Sequence, residues 1–242
     1  MDTLKKIITC VLILIFVFLV IAVYAVFIRT SGTSRMLYGR HIDIIFDTYT
    51  DPESGIQRLS ENDDITSVYI SRATYEEMKL FPVCENVTDL TLDYGKFGRT
   101  NAFLDKFPNV TTLKLFFTEI NLYGTDNDKV EKITIDYGKT KSIIRLSGFK
   151  ALKTLEMSRP EFEGINIYET EDGSMYVLED SSCFANLDTV ETLKIQGVKI
   201  YDFSGFLEMD SLKYLCIDGD NINHNNQNAL EELKRKGIEI ST

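Results

Sequence analysis

The side chains that do chemistry are few in this chain of 242 residues, and their spacing keeps them apart. Its two histidines, His41 and His224, stand near opposite ends and do not share a site. Its four cysteines, Cys10, Cys84, Cys183 and Cys216, form no Cys-x-x-Cys pair. There is no Gly-x-Ser-x-Gly elbow, no His-Glu-x-x-His helix and no Walker-type glycine loop. Nucleophilic, zinc-hydrolytic and phosphate-cradling chemistries therefore have nothing to work with, so neither an enzyme nor a cofactor is expected. Recognition chemistry is better supplied. Tyr69, Tyr94, Phe116, Phe117 and Tyr137 interleave with Asp93, Asp136 and Lys114. Aromatic rings rimmed by carboxylates hold protein hot spots or stack sugar rings.

The elements that must position these residues come from one repeated signature, apolar-x-x-apolar-x-apolar, with a period of about 22 residues. It reads Ile65/Val68/Ile70, Val87/Leu90/Leu92, Val110/Leu113/Leu115, Val130/Ile133/Ile135, Leu152/Leu155/Met157, Val190/Leu193/Ile195 and Leu212/Leu215/Ile217, with a degenerate copy at Ile238/Ile240. The last two apolar positions of each unit alternate with polar ones, which predicts a short strand with one buried face. A single unit cannot bury that face alone, whereas a parallel stack of units does.

The repeat resembles the leucine-rich repeat, and in places its 22-residue bacterial internalin-like class. The stretch Ile200 to Ile217 carries the resemblance best, with Ile200, Phe203 and Phe206 leading into the strand at Leu215/Ile217. The segments Leu90–Lys96 and Ile133–Lys139 are near duplicates. The resemblance implies an α/β fold: a curved leucine-rich-repeat solenoid, with a parallel β-sheet on the concave face and about seven repeats plus caps. It also implies a bacterial source and recognition as the class of function. The family usually places Asn three residues after the last strand apolar. This chain holds Ala73, Gly95, Thr118, Gly138, Pro160, Val198 and Asp220 there, so the turn after each strand is expected to differ.

Stacking predicts three outward rows. The first is Ser67, Asp89, Thr112, Lys132, Thr154, Thr192 and Tyr214. The second is Tyr69, Thr91, Lys114, Thr134, Glu156, Lys194 and Cys216, and the third is Ser71, Asp93, Phe116, Asp136, Ser158, Gln196 and Asp218. Just beyond the third row, Tyr94, Phe117 and Tyr137 fall in consecutive repeats. At ~4.8 Å between strands these rings either form a contacting ladder at the edge of the concave face or tuck into the turn as core. Phe116, on the strand itself, is the harder ring to bury. Asp93 and Asp136 lie two strands, ~9.6 Å, apart, too far to share a calcium ion, so no metal is expected. Cys84 and Cys183, about four repeats apart, are likewise out of disulfide range.

Outside the repeat, residues 1–6 read as a short cytoplasmic tail and 7–28 as a transmembrane helix, flanked by Lys5, Lys6 and Arg29. A cleaved signal peptide ending near Val23-Tyr24-Ala25 is the competing reading. Residues 29–62 supply a stalk and an N-terminal cap, the latter a strand around Ile42, Ile44 and Phe46 and a helix from Pro52. The repeat domain spans 63–242. A hairpin insertion is expected near 165–178, turning at Asp172-Gly173, as a loop with or without a partner. A C-terminal cap at 228–242 carries a helix with Asn228 as N-cap and Gly237 as its stop. The formal net charge of −11 disfavours nucleic acid. The expected molecule is a single-pass cell-membrane protein with its repeat domain extracytoplasmic. Its expected partner is a protein, a surface glycan being the other candidate. A structural subunit docking within a bacterial envelope complex is the alternative.

Overall fold

In each unit the alternating pair of apolar residues forms one strand, and the third apolar residue enters from the preceding turn. A computed structural model describes residues 40–99, 101–122, 128–140, 143–162, 165–170, 173–221 and 226–242. The expected tail at 1–6, the apolar run at 7–28, the stalk from 29, Asp172 and His224 lie outside the described residues. Among the described residues, no helix is long and apolar enough to cross a membrane.

The strands are, in chain order, β1 (His41–Ile45), β2 (Ser67–Ser71), β3 (Asp89–Asp93), β4 (Lys96–Arg99), β5 (Thr112–Phe116), β6 (Glu119–Asn121) and β7 (Lys132–Asp136). They continue as β8 (Thr154–Ser158), β9 (Ile165–Thr170), β10 (Gly173–Leu178), β11 (Thr192–Gln196), β12 (Val198–Ile200), β13 (Tyr214–Ile217) and β14 (Glu239–Ser241). Nine of them form one sheet in the order β1-β2-β3-β5-β7-β8-β11-β13-β14, with every neighbouring pair parallel. This sheet resembles the strand stack of a leucine-rich-repeat solenoid. The register matches the repeat: Val68, Leu90, Leu113, Ile133, Leu155, Leu193 and Leu215 face one another in succession. All seven are 0–1% exposed. Burying each aliphatic side chain stabilises by roughly 1.5–3 kcal/mol, repeated at every step of the stack. Behind the sheet, Phe46, Phe81 and Phe107 touch in sequence, as do Phe162, Phe184 and Phe206.

The turn after each strand departs from the asparagine-ladder pattern in a defined way. Main chain bonds main chain: the Lys96 amide donates to Ala73 O (3.2 Å), Glu119 to Gly95 O (3.0 Å), Lys139 to Thr118 O (2.8 Å) and Glu161 to Gly138 O (2.9 Å). The short pair β4–β6 and the bridges Thr74–Lys96, Glu119–Lys139 and Lys139–Glu161 lie along this second ladder. Small side chains permit the approach. A Cβ on Gly95 would sit 2.1 Å from the Phe97 ring and 2.8 Å from Ala73 O, which leaves no room for asparagine.

Both ends of the sheet carry a strand and a helix. β1 adds a ninth strand in register with β2, burying Ile42, Ile44 and Phe46. Helix α1 (Pro52–Glu61) covers it, with the Asp51 side chain accepting from the Ser54 amide. Helix α2 (Gln227–Arg235) starts earlier than expected. Asn228 is inside it, and the N-cap position is Asn226, whose side chain is 2% exposed and donates to Ile200 O at 3.0 Å. Asn226 therefore ties the helix to the preceding repeat, so the first turn begins as soon as the chain leaves it. Gly237, at φ +83°, stops the helix as expected.

The hairpin of β9 and β10 is not a free loop. β9 and β10 pair antiparallel from Thr170–Gly173 down to Ile165–Leu178, and β10 also pairs parallel with β12. Val177 and Leu178 are buried, so β10 completes the core beside β12 while β9 is left at the edge.

Candidate functional site

The polar positions between the strand apolars build the sheet's outer face, and the three expected rows align residue by residue except at Asp218, which follows the end of β13. Tyr69, Thr91, Lys114, Thr134, Glu156, Lys194 and Cys216 are successive register partners in the second row. In the third row Phe116 lies between Asp93 and Asp136. Tyr69 and Asp93, on neighbouring strands, meet through a hydrogen bond from the phenol to the carboxylate. Burial, then that bond, push the Tyr69 hydroxyl up to about 12. The second carboxylate oxygens, Asp93 Oδ1 and Asp136 Oδ1, are buried without a hydrogen-bond partner. Buried acceptors left unmatched are costly, so each favours a contact that brings a donor.

Beside Phe116 the same face has a hollow of about 280 Å³, lined by Phe116, Thr134, Asp136, Glu156, Ser158 and Lys194 among others. Glu156 at its centre is held by Lys132 at 2.7 Å and Lys194 at 2.9 Å. Burial alone would raise the Glu156 carboxyl, but the two ammonium groups outweigh it and hold it below the ordinary glutamate range. Lys194 is raised in turn by its hydrogen bond to Glu156. Sequence reasoning placed these residues in rows but did not single out the three-strand ion network. Opposite charges one register step apart were the available signal.

At the edge of this face Tyr94, Phe117 and Tyr137 form a ladder. Ring centroids are 4.7 Å apart between Tyr94 and Phe117 and 5.0 Å between Phe117 and Tyr137, with interplanar angles of 8° and 11°. Tyr94 is 59% exposed and Phe117 44%, so the rings do not tuck into the core. The reason is in the backbone: φ is +48° at Tyr94, +46° at Phe117 and +49° at Tyr137. A left-handed residue turns its side chain out of the bend, and each of these amides bonds the third-row carbonyl of the next repeat at 2.9–3.0 Å. Arg72 and Arg159 occupy the same position in the flanking repeats, at φ +61° and +43°. Arg159 donates to the Tyr137 hydroxyl and lies 5.2 Å from its ring centroid, closing that end of the row. Arg72 instead reaches Asp47 at 3.7 Å. Neither arginine was singled out from the sequence, although both share the rings' position two residues after the last strand apolar.

Of the expected site residues, the sheet brings together Tyr69 with Asp93, Phe116 with Asp93 and Asp136, and Tyr94 with Phe117 and Tyr137. Lys114 lies on the same face in the second row, between Thr91 and Thr134. Among the described residues, no three His, Cys, Asp or Glu side chains are grouped to hold a metal ion.

No protein-family model and no curated protein matches the chain. Among solved structures it is similar to internalin C2 of Listeria monocytogenes, with 16% identity and a TM-score of 0.42, over 72% of this chain and 80% of that one.

Proposed function

We propose that the chain is a non-catalytic, leucine-rich-repeat recognition module, anchored in the cell membrane through residues 7–28 with its repeat domain outside. It binds a protein partner through the outer, concave face of the sheet. The observation that carries this reading is the exposed ladder Tyr94–Phe117–Tyr137 beside Phe116 and the two unmatched carboxylate oxygens. Large rings on left-handed backbone are costly to hold, and such strain is concentrated at functional positions.

The ladder favours protein over glycan. Its rings turn their faces to one another, so the row presents ring edges and tyrosine hydroxyls. A sugar stacks on an open ring face, and Arg159 covers the outer face of Tyr137. Ring edges, which carry the positive end of the quadrupole, suit carbonyl oxygens and aliphatic side chains. Only residues 29–40 separate the apolar run from β1, which sets the domain close to the bilayer and favours a partner in the same envelope.

The test is in-cell crosslinking with mass spectrometry, comparing wild type with Tyr94→Ala/Phe116→Ala/Phe117→Ala/Tyr137→Ala, after circular dichroism shows that the variant folds. A specific partner crosslinked to wild type and lost from the variant is the expected result. The same partners recovered from both would remove the aromatic row from the interface.

A further inference from the structure

We propose a second binding site at the free edge of β9, which takes an extended segment of a protein partner as an added strand. The hydrogen-bond alternation of the hairpin fixes which groups are available. Leu178 O accepts from the Tyr201 amide, so Leu178 and Tyr176 direct their main-chain groups toward β12, and Val177 directs its own toward β9. Val177 pairs with Asn166, and the alternation along an antiparallel pair then turns Ile165, Ile167 and Glu169 away from β10. Ile165 N donates to Phe162 O at 3.0 Å. The amide and carbonyl of Ile167 and Glu169 remain along an edge whose residues 166–169 are all exposed.

Beside this edge lies a cleft of about 340 Å³, walled by Ile165 and Ile167 on the hairpin and by Phe162, Thr140, Lys139 and Glu161 on the repeat stack. Thr140 is 7% exposed, and its Oγ1 has no hydrogen-bond partner. A buried hydroxyl left unmatched in a cleft wall points to a ligand that matches it. The mouth is polar, with Lys139 engaged by Glu161 at 2.7 Å, and the hairpin wall is aliphatic. An extended segment on β9 would gain main-chain bonds from Ile167 and Glu169. Its alternate side chains would point to the cleft, where one aliphatic group with a neighbouring polar atom fits. This is the strand-addition mode of peptide recognition. An edge carrying exposed Ile167 and Tyr168, with no covering lysine or proline, is open to it. The chain's net charge of −11 disfavours a second copy of itself and favours a segment bearing Lys or Arg. This site is separate from the aromatic row and does not depend on it.

The experiment selects phage-displayed linear peptides on the full chain in detergent micelles and measures their affinity for three variants. Ile167→Pro removes an edge amide that β10 does not use, Thr140→Val removes the unmatched hydroxyl at nearly constant shape, and Tyr94→Ala/Phe117→Ala/Tyr137→Ala removes the ladder. The expected peptides lose about tenfold or more in affinity with Ile167→Pro, lose affinity with Thr140→Val, and bind the ladder variant unchanged. Bound peptide also slows amide exchange at Ile167 and Glu169. Three results overturn the proposal: recovered peptides indifferent to both Ile167→Pro and Thr140→Val, no recovered peptide that protects β9, or wild-type self-association abolished by Ile167→Pro, which would make the occupant a second copy. Thermal unfolding of Ile167→Pro controls for loss of the hairpin, and Thr140→Val keeps the test decisive if that control fails.

Discussion

A left-handed backbone at Arg72, Tyr94, Phe117, Tyr137 and Arg159 costs each of these residues roughly 1–2 kcal/mol that glycine would avoid. The flanking arginine and the rings offset that cost differently. Arg72 is mostly exposed and has one long ion pair, to Asp47 at 3.7 Å. Arg72→Gly is therefore expected to stabilise by about 0.5–1 kcal/mol after the entropic cost of glycine, raising Tm by about 1–3 °C in thermal denaturation. Phe117→Gly loses stacking on both faces, at roughly 0.5–1.5 kcal/mol per ring pair, and is expected to lower Tm instead. An unchanged Tm for Arg72→Gly would show that the turn carries no such strain. The sequence carried the ring positions but not their exposure. Tyrosine and phenylalanine are poor markers of positive φ, for which glycine or asparagine is the readable signal. A bend with no asparagine to fill it favours burying the rings, and the left-handed backbone turns them outward instead.

Between strands, the ion network at Glu156 ties β7, β8 and β11 across the outer face through Lys132 and Lys194. The folded Glu156 carboxyl is held below its ordinary value. Its contribution is therefore present above the unfolded value and is lost as pH falls through the folded one. The stability advantage of wild type over Glu156→Gln is expected to be full near neutrality and to shrink below about pH 4, read from denaturant midpoints at a series of pH values. A difference that stays constant with pH would mean that the network contributes nothing through charge. Strands and their register were legible because period-2 alternation within a fixed repeat leaves one way to bury Leu90, Leu113 and Ile133 together. The partner of β10 was not legible, because pairing of Tyr176–Leu178 with Val198–Ile200 joins segments on either side of β11. The start of α2 was missed for a similar reason: Asn226 bonds to Ile200, and local capping signals carry no information about that distant contact.

Over the whole molecule, each repeat touches chiefly its neighbours, so stability is expected to be graded along the stack rather than uniform. Leu233 of α2 is fully buried at one end of it. Leu233→Ala is expected to cost about 2–5 kcal/mol, and amide exchange should show β13 and β14 losing protection while β3, β5 and β7 keep theirs. Uniform loss across the sheet would make the stack a single cooperative unit. The stack also bears on how such a surface is enlarged. Each ring of the row is contributed by one unit, at one fixed place in it, and Leu90–Lys96 and Ile133–Lys139 are already near copies. Tandem duplication of a single unit in the gene would add one aromatic rung about 4.8 Å further along, with its neighbours unchanged. The length of the aromatic row is thus a count of units, adjustable by copying without redesign of the core.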